Sequence, residues 1–559
     1  MTFVILQSCC NDASCVAVCP VNCIHPTPDE PGFMSAEMLH IDPETCIDCG
    51  ACVDECPVDA IRPEDELEDK HSVFLELNAR YFDIHPTDGM PAAVGGTRRA
   101  KGALSELKVA IVGSGPAAFY SALELCSAGV QRVEMFEKLY VPYGLARFGV
   151  APDHQSTKAV TDVFRSLGNK PNFGLNLGVE VGADLTHEEL LRHHHAVLYA
   201  VGASQDRPLG IEGENLDGSY SATEFVAWYN GHPDHAHKKF DLTGSRAVIV
   251  GNGNVALDVA RILLSDPDEL ARTDIAQHAL EALRQSNVRE VVVLGRRGPG
   301  QAAYTNPEIL AMLDLPDVDV VVEPGEVAED EITADILAAE DTEASVRTKI
   351  DLARGLATNS GQSSAKRLVL RYLVSPKRLV GTSRVEAIEL SRNTLGFDDD
   401  RRIVSTTTDE VESVSTTLVF RSIGYRGQKV EGLPFDHSRG LVPNVSGRVR
   451  DPDTEDVVPG AYVAGWIKRG PSGVIGTNKK CASESVESLV ADYLEGSLAT
   501  PVGSTEMLTS LVSTRVPDVV GFAGWNRIDK AERAAGQLAS RPRIKFIDAV
   551  SMKAASVEA

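Results

Sequence analysis

The amino-acid sequence predicts a small α+β cysteine-rich module followed by two α/β domains, and three observations carry that expectation. Nine of the 11 cysteines lie between Cys9 and Cys56, and only Cys126 and Cys481 follow. A strand-like run that meets glycine and opens into a helix-like apolar stretch occurs twice, at residues 108–112 before Gly113 and at 247–250 before Gly251. A chain of 559 residues is also too long for a single hydrophobic core.

Bulk composition narrows the function classes. With 43% hydrophobic residues, 24% charged residues and a mean hydropathy of −0.10, the chain has the make-up of a folded globular protein. No apolar run approaches a bilayer span, and the first residues lack a basic leader before Cys9, so a cytoplasmic location is expected. Of the net charge of −26, −13 falls within residues 1–80, where 16 Asp/Glu face three Lys/Arg. Such a surface repels phosphate backbones and anionic membranes, so no nucleic-acid or membrane partner is expected; a basic protein face is its natural complement.

The cysteine module is the first element. Cys46-x2-Cys49-x2-Cys52-x3-Cys56-Pro57 brings thiolates together at tight, regular spacing, and Cys15-x3-Cys19-Pro20 repeats its second half. Counting back gives Cys9, with Asp12 where another cysteine would stand. Zinc prefers two pairs separated by a loop, so iron–sulfur ligation is the better reading. Residues 1–80 form this module, and residues 81–106 a Pro/Gly-rich linker with a basic end.

The next element is Gly113-x-Gly115-x-x-Ala118, with Ala117 inside the motif. Its glycines permit a tight turn and close approach of a pyrophosphate to a helix N-terminus. A second strand ends at Glu137, where a carboxylate can accept a ribose hydroxyl. The later fingerprint, Gly251-Asn252-Gly253-Asn254-Val255-Ala256, is followed by a strand ending in Gly295-Arg296-Arg297. Arginines at that tip favour the 2′-phosphate of NADP over NAD. The long gap between them is assigned to a polar, helix-forming stretch at residues 266–284.

Residues 326–366 read as an acidic, solvated insertion, the tail after Gly496 shows no recognisable chemistry, and His193, His194 and His195 read as surface histidines. Between Ser127 and Lys480 there is no cysteine, which excludes a Cys-x2-Cys relay; Cys126 and Cys481 read as packed thiols.

Two resemblances follow from these motifs. The cysteine pattern resembles a two-cluster bacterial ferredoxin. It implies Cys19, Cys46, Cys49 and Cys52 on a [4Fe–4S] cluster and Cys9, Cys15 and Cys56 on a second, which is [3Fe–4S], or [4Fe–4S] with Asp12 as a ligand. Cys10 and Cys23 are left over. The segments Tyr143-Gly144-Leu145-Ala146-Arg147 through His154, and Gly465-Trp466 through Gly473-Val474-Ile475-Gly476, resemble the adrenodoxin-reductase family of ferredoxin–NADP reductases.

That resemblance implies a two-domain, Rossmann-like flavoprotein reductase of fused, actinobacterial type. Residues 107–210 and 426–559 would bind FAD, around an inserted NADP-binding domain at 211–425. Leu145, Trp466 and the backbone at Gly473, Val474 and Ile475 would frame the flavin. His154 would lie near its reactive face, and Arg296, Arg297 and Glu308 would contact the nucleotide. Another carboxylate found one turn further on in some relatives is Ala311 here. The implied activity carries a hydride from NADPH to FAD, then single electrons to the fused clusters and on to a ferredoxin or cytochrome P450 type of acceptor. An electron-input subunit and a redox-sensing binding protein are the rival readings.

Overall fold

The computed structural model describes residues 2–86, 102–328, 330–358 and 365–557. The central part of the expected linker, 87–101, lies outside them.

The cysteine module is built on two short antiparallel ribbons, Phe3–Ile5 with Ile61–Pro63 and Ile24–His25 with His40–Ile41. Asn78, buried on the helix Val73–Tyr81, joins them: its Oδ1 accepts the Ile41 N–H at 2.9 Å and its Nδ2 donates to the Ile5 carbonyl at 3.0 Å. A buried amide so placed satisfies backbone groups that neither two-stranded ribbon can pair alone.

Two larger sheets follow. In the first, Val457–Val463, Ala196–Tyr199, Lys108–Val112, Arg132–Glu137 and Phe173–Leu177 run parallel, with Arg448–Arg450 and Asn444–Val445 added antiparallel at one edge. The second is wholly parallel, in the order Ser219–Ser221, Leu418–Arg421, Arg246–Val250, Glu290–Leu294, Lys366–Arg371, Val318–Val322. Continuous apolar runs such as Lys-Val-Ala-Ile-Val and Glu-Val-Val-Val-Leu suit strands covered on both faces. A three-stranded antiparallel sheet, Val374–Val380, Ala387–Phe397 and Ile403–Ser415, stands beside the second.

Two expectations are corrected. Residues 326–366 are not simply solvated: Glu326 is fully buried, paired with Arg371 at 2.6 Å and Arg392 at 3.3 Å, and Ile350 and Ala353 on the helix Ala344–Thr358 are buried. The apolar spacing on that helix was outweighed by the acidic composition around it. His193 and His194 are buried, their Nδ1–H groups donating to the carbonyls of Ser504 and Leu190, and His195 Nδ1 accepts the Lys108 N–H at 3.1 Å. They are packing groups at the start of a central strand, not surface residues.

The tail, without recognisable chemistry in the sequence, has a packing role. Its helix Phe522–Leu538 grips the loop after Glu137: Trp525 Nε1 donates to Tyr143 Oη at 3.2 Å, and buried Glu532 pairs with buried Arg147, whose guanidinium lies 5.5 Å from the Trp525 ring centroid. No local motif marks that role, because its partners are almost 400 residues upstream.

Candidate functional site

The nine cysteines of the module sort into two small cavities. Cys9, Cys15 and Cys56 line the first together with Cys10 and Asp12; Cys19, Cys46, Cys49 and Cys52 line the second together with Cys23. Cys56 thus leaves its sequence neighbours and joins the other set. Each set has a backbone N–H aimed at sulfur: Ala60 at Cys56, 3.2 Å, and Cys23 at Cys19, 3.3 Å.

Cys23, unassigned by spacing, is also a side-chain partner. Its sulfur lies 3.4 Å from that of Cys19, and its hydrogen bonds are the largest cause lowering Cys19 to a pKa of about 6 and Cys46 to about 5. Burial instead pushes Cys9 up to about 11 and Cys52 up to about 12. Buried thiols of this kind become thiolates when a cation offsets the desolvation cost, which is the chemistry of a metal–sulfur cluster. The donor sets and cavities fit one.

At the first fingerprint, Gly113 has φ +97°, and a Cβ there would stand 2.6 Å from the Ala200 carbonyl oxygen. Glycine is therefore required for the turn. Gly115 is open on its Cβ side, at the start of the helix Pro116–Ser127, which contains Ala117 and Ala118. This is the cradle an anionic pyrophosphate needs. Glu137 accepts the Ser114 N–H at 3.0 Å and the Leu139 N–H at 3.0 Å, so its carboxylate is fixed at the strand tip, and burial raises its pKa.

The far segment returns to the same place. Gly465 has φ +75°, and an added Cβ would come within 2.8 Å of the Ala117 Cβ. Trp466 Nε1 donates to the Ser472 carbonyl at 3.1 Å. Gly473 has φ +76°; the carbonyls of Val474 and Ile475 accept from Thr477 Oγ1 at 2.7 Å and Asn478 Nδ2 at 3.0 Å. Leu145, 41% exposed, begins the short helix after Gly144.

The second fingerprint repeats the first. Gly251 has φ +109°, and a Cβ would meet the Ser422 carbonyl oxygen at 2.1 Å. Gly253 precedes the helix Asn254–Leu264, which carries Val255, and Asn254 Oδ1 accepts the Thr305 N–H at 2.8 Å. Asn252 Oδ1 accepts the Ala303 N–H at 3.4 Å. The arginine loop is pinned through its backbone: the Arg296 carbonyl accepts from Asn393 Nδ2 at 2.8 Å and that of Arg297 from the Leu373 N–H at 3.2 Å. Arg296 is exposed; burial and then the neighbouring Arg296 charge lower the Arg297 pKa.

Between the nucleotide units His154, Asp258 and Glu308 bring ligand atoms within 4.8 Å of one another. Arg261, which sequence reasoning missed, fills the cation's role there. It is 3% exposed, pairs with Asp153 at 2.7 Å and Glu308 at 3.3 Å, and also holds Asp258. An arginine one turn after Asp258, within the apolar run of the helix, was the available signal. Burial keeps the His154 pKa below its ordinary value, so the ring is neutral near pH 7.

The module is seated on this body. The Gly476 N–H donates to the Cys10 carbonyl at 2.7 Å, Lys479 pairs with Asp12 at 3.0 Å, and Glu37 pairs with Lys349 at 2.6 Å while accepting the Asn306 N–H at 2.7 Å. The three-thiolate cavity therefore abuts the segment that ends Gly473-Val474-Ile475, whereas Cys49 of the other set is exposed.

Residues 39–62 match the 4Fe-4S binding domain family, and residues 107–289 match the pyridine nucleotide-disulphide oxidoreductase family. A probable ferredoxin/ferredoxin–NADP reductase of Mycobacterium tuberculosis is 50% identical over 100% of this chain and 96% of that protein. The chain belongs to the fused ferredoxin/ferredoxin–NADP reductase family. NADPH-ferredoxin reductase FprA of the same organism is 45% identical over 78% of this chain and 96% of its own length. The structure of FprA in complex with NADPH superposes with a TM-score of 0.76 at 43% identity, covering 81% of this chain and 100% of FprA. The fused reductase thus differs from FprA by its seated cysteine module, and it lacks the dithiol that the broader disulphide-oxidoreductase description suggests.

Proposed function

We propose that this reductase carries electrons between NADP(H) and two iron–sulfur clusters through FAD, and hands them to an acceptor protein. When bound, these groups supply hydride transfer from NADPH to the flavin and one-electron exchange with the clusters. Residues 107–210 and 426–559 form the FAD domain around the NADP domain at 211–425. Gly113, Gly115, Ala117, Ala118 and Glu137 receive the ADP-ribose half of FAD; Leu145, Trp466, Gly473, Val474 and Ile475 surround its ring. Asn252, Gly253, Asn254 and Val255 cradle the NADP pyrophosphate, and Arg296 and Arg297 hold its 2′-phosphate. Glu308 and His154, organised by Arg261, orient the nicotinamide end.

Cys19, Cys46, Cys49 and Cys52 hold a [4Fe–4S] cluster, and Cys9, Cys15 and Cys56 the second. The observation that carries the reading is the seam, where the Cys10 carbonyl meets the Gly476 N–H at 2.7 Å. It sets one thiolate site against the flavin segment and leaves the other facing outward. Ile47, 58% exposed beside exposed Cys49, Asp48, Asp54 and Glu55, offers an apolar contact within an acidic rim. A small acceptor protein with a basic face suits it. No helix among the described residues is long and apolar enough to cross a membrane, and unpaired thiols suit the cytoplasm.

An anaerobic NADPH titration followed by visible absorption and low-temperature EPR tests the reading. Flavin bleaching with cluster signals is the expected result. Protein prepared anaerobically with neither iron nor flavin would overturn it.

A further inference from the structure

Asp12 occupies the place of a missing thiolate, and both of its carboxylate oxygens are engaged. Oδ1 accepts the Ser14 N–H at 2.9 Å, and Oδ2 lies 3.0 Å from Lys479 Nζ. The same ammonium reaches the Asp12 carbonyl at 3.1 Å and Ser14 Oγ at 2.9 Å, so its three N–H groups have three acceptors. Lys479 comes from the opening turn of the helix Thr477–Leu494, 467 residues away on the reductase body. Gly476, just before that helix, fixes the approach: a Cβ there would stand 2.2 Å from the Asp12 backbone nitrogen. The Asp12 side chain is only 8% exposed, so water does little to offset its charge.

We propose that Lys479 is a positioning residue that keeps Asp12 off iron, so that the Cys9, Cys15 and Cys56 site settles with three thiolates and three irons. The reductase body thereby decides the composition of a cluster on the fused module. This inference rests on the reading of the module as a cluster carrier. Without the ammonium, a mostly buried carboxylate is left uncompensated beside the cavity, and a ferrous ion is the cation that can take the ammonium's place. Carboxylate oxygen is a competent, if hard, ligand for it. The conversion balances with one external electron and one ion: dithionite reduces the oxidised three-iron cluster to its neutral-core state. Addition of Fe²⁺ then gives a four-iron cluster of charge 2+, with an Asp12 oxygen displacing a water from the incoming ion.

The test uses the full chain as wild type, Lys479→Met, Lys479→Arg and the double variant Asp12→Ala/Lys479→Met. Each is incubated anaerobically with dithionite and a ferrous salt, desalted, and assayed for iron and by EPR in oxidised and reduced states. The expected result is that wild type and Lys479→Arg keep the oxidised three-iron signal, whereas Lys479→Met loses it and gains one iron per chain. The double variant, with no carboxylate, keeps three irons. The reduced [4Fe–4S] signal of the other site reports an intact module in every sample. Uptake of the fourth iron by wild type, its refusal by Lys479→Met, or its uptake by the double variant would each overturn the role of Lys479 while leaving the cluster reading intact. A wild-type chain with no cluster signal would bring down both.

Discussion

At the scale of single residues, charge and hydrogen bonding around a few side chains give the sharpest expectations. Arg297→Ala removes a charged donor proposed for the 2′-phosphate; such a contact is worth about 1.5–3 kcal/mol, so KM for NADPH should rise roughly 10- to 100-fold while KM for NADH stays put. Steady-state kinetics with the two nucleotides checks it. Cys23→Ala removes the side-chain partner of Cys19 and Cys46, and should make the outer cluster harder to reduce, seen as a more negative midpoint in a redox titration. His194 gives a pH signature. Burial lowers its pKa to about 4, so between the unfolded value of about 6.5 and that limit the unfolded chain binds more protons than the folded one. Stability therefore falls as pH drops through this window and levels off below it. Between pH 7 and pH 5 this one ring accounts for about 2 kcal/mol, and the acid loss measured by urea unfolding should shrink accordingly in His194→Asn.

Among the elements, Arg261 shows how one helix holds two loops. On Asn254–Leu264 it ties Asp153, from the segment following the flavin loop, to Glu308 on the helix Asn306–Leu313. Burial alone would raise the Asp153 pKa, yet the Arg261 charge outweighs it and the net shift is downward. Arg261→Met leaves three carboxylates uncompensated and should cost about 3–5 kcal/mol, read as a lower Tm. Gly476 is the other lever. Its φ of −70° would admit alanine, but the added methyl would collide with Asp12 and the Cys10 carbonyl oxygen, at 2.2 and 2.3 Å. Gly476→Ala should therefore unseat the module: in stopped-flow traces NADPH still bleaches the flavin, while cluster reduction slows.

For the whole molecule, the contact between module and body is the decisive feature. The acidic charge of the first 80 residues makes a basic face their natural complement, and a contact held by exposed charges alone would be sensitive to salt. The structure gives a different balance. Asp12 and Lys349 are buried members of their pairs, whereas Asp29–Lys480 and His85–Glu343 are exposed on both sides. Salt screens exposed charges and does little to pairs shielded from solvent. Internal electron transfer should then slow by less than about twofold between low and 1 M salt, whereas transfer to a basic acceptor at the Ile47 edge should fall steeply. Stopped-flow measurements at varied ionic strength separate the two steps.

What the sequence determined by itself was local chemistry. Within each cysteine run the proposed cluster ligands lie three to six residues apart, and each glycine fingerprint, with its strand and helix, fits in one short window, so spacing carries their local geometry. The Arg296–Arg297 tip was legible for the same reason. Tertiary structure decided what crosses the chain: Lys479 at Asp12, Gly476 at Cys10, Glu37 at Lys349, Arg261 among three carboxylates, and the tail helix on Tyr143 and Arg147. In each case except the Arg261–Asp258 contact the partners are far apart in sequence. Their pairing is set by how the sheets and the module pack, because a buried charge must find its counter-charge wherever folding brings one, and no local pattern records that meeting.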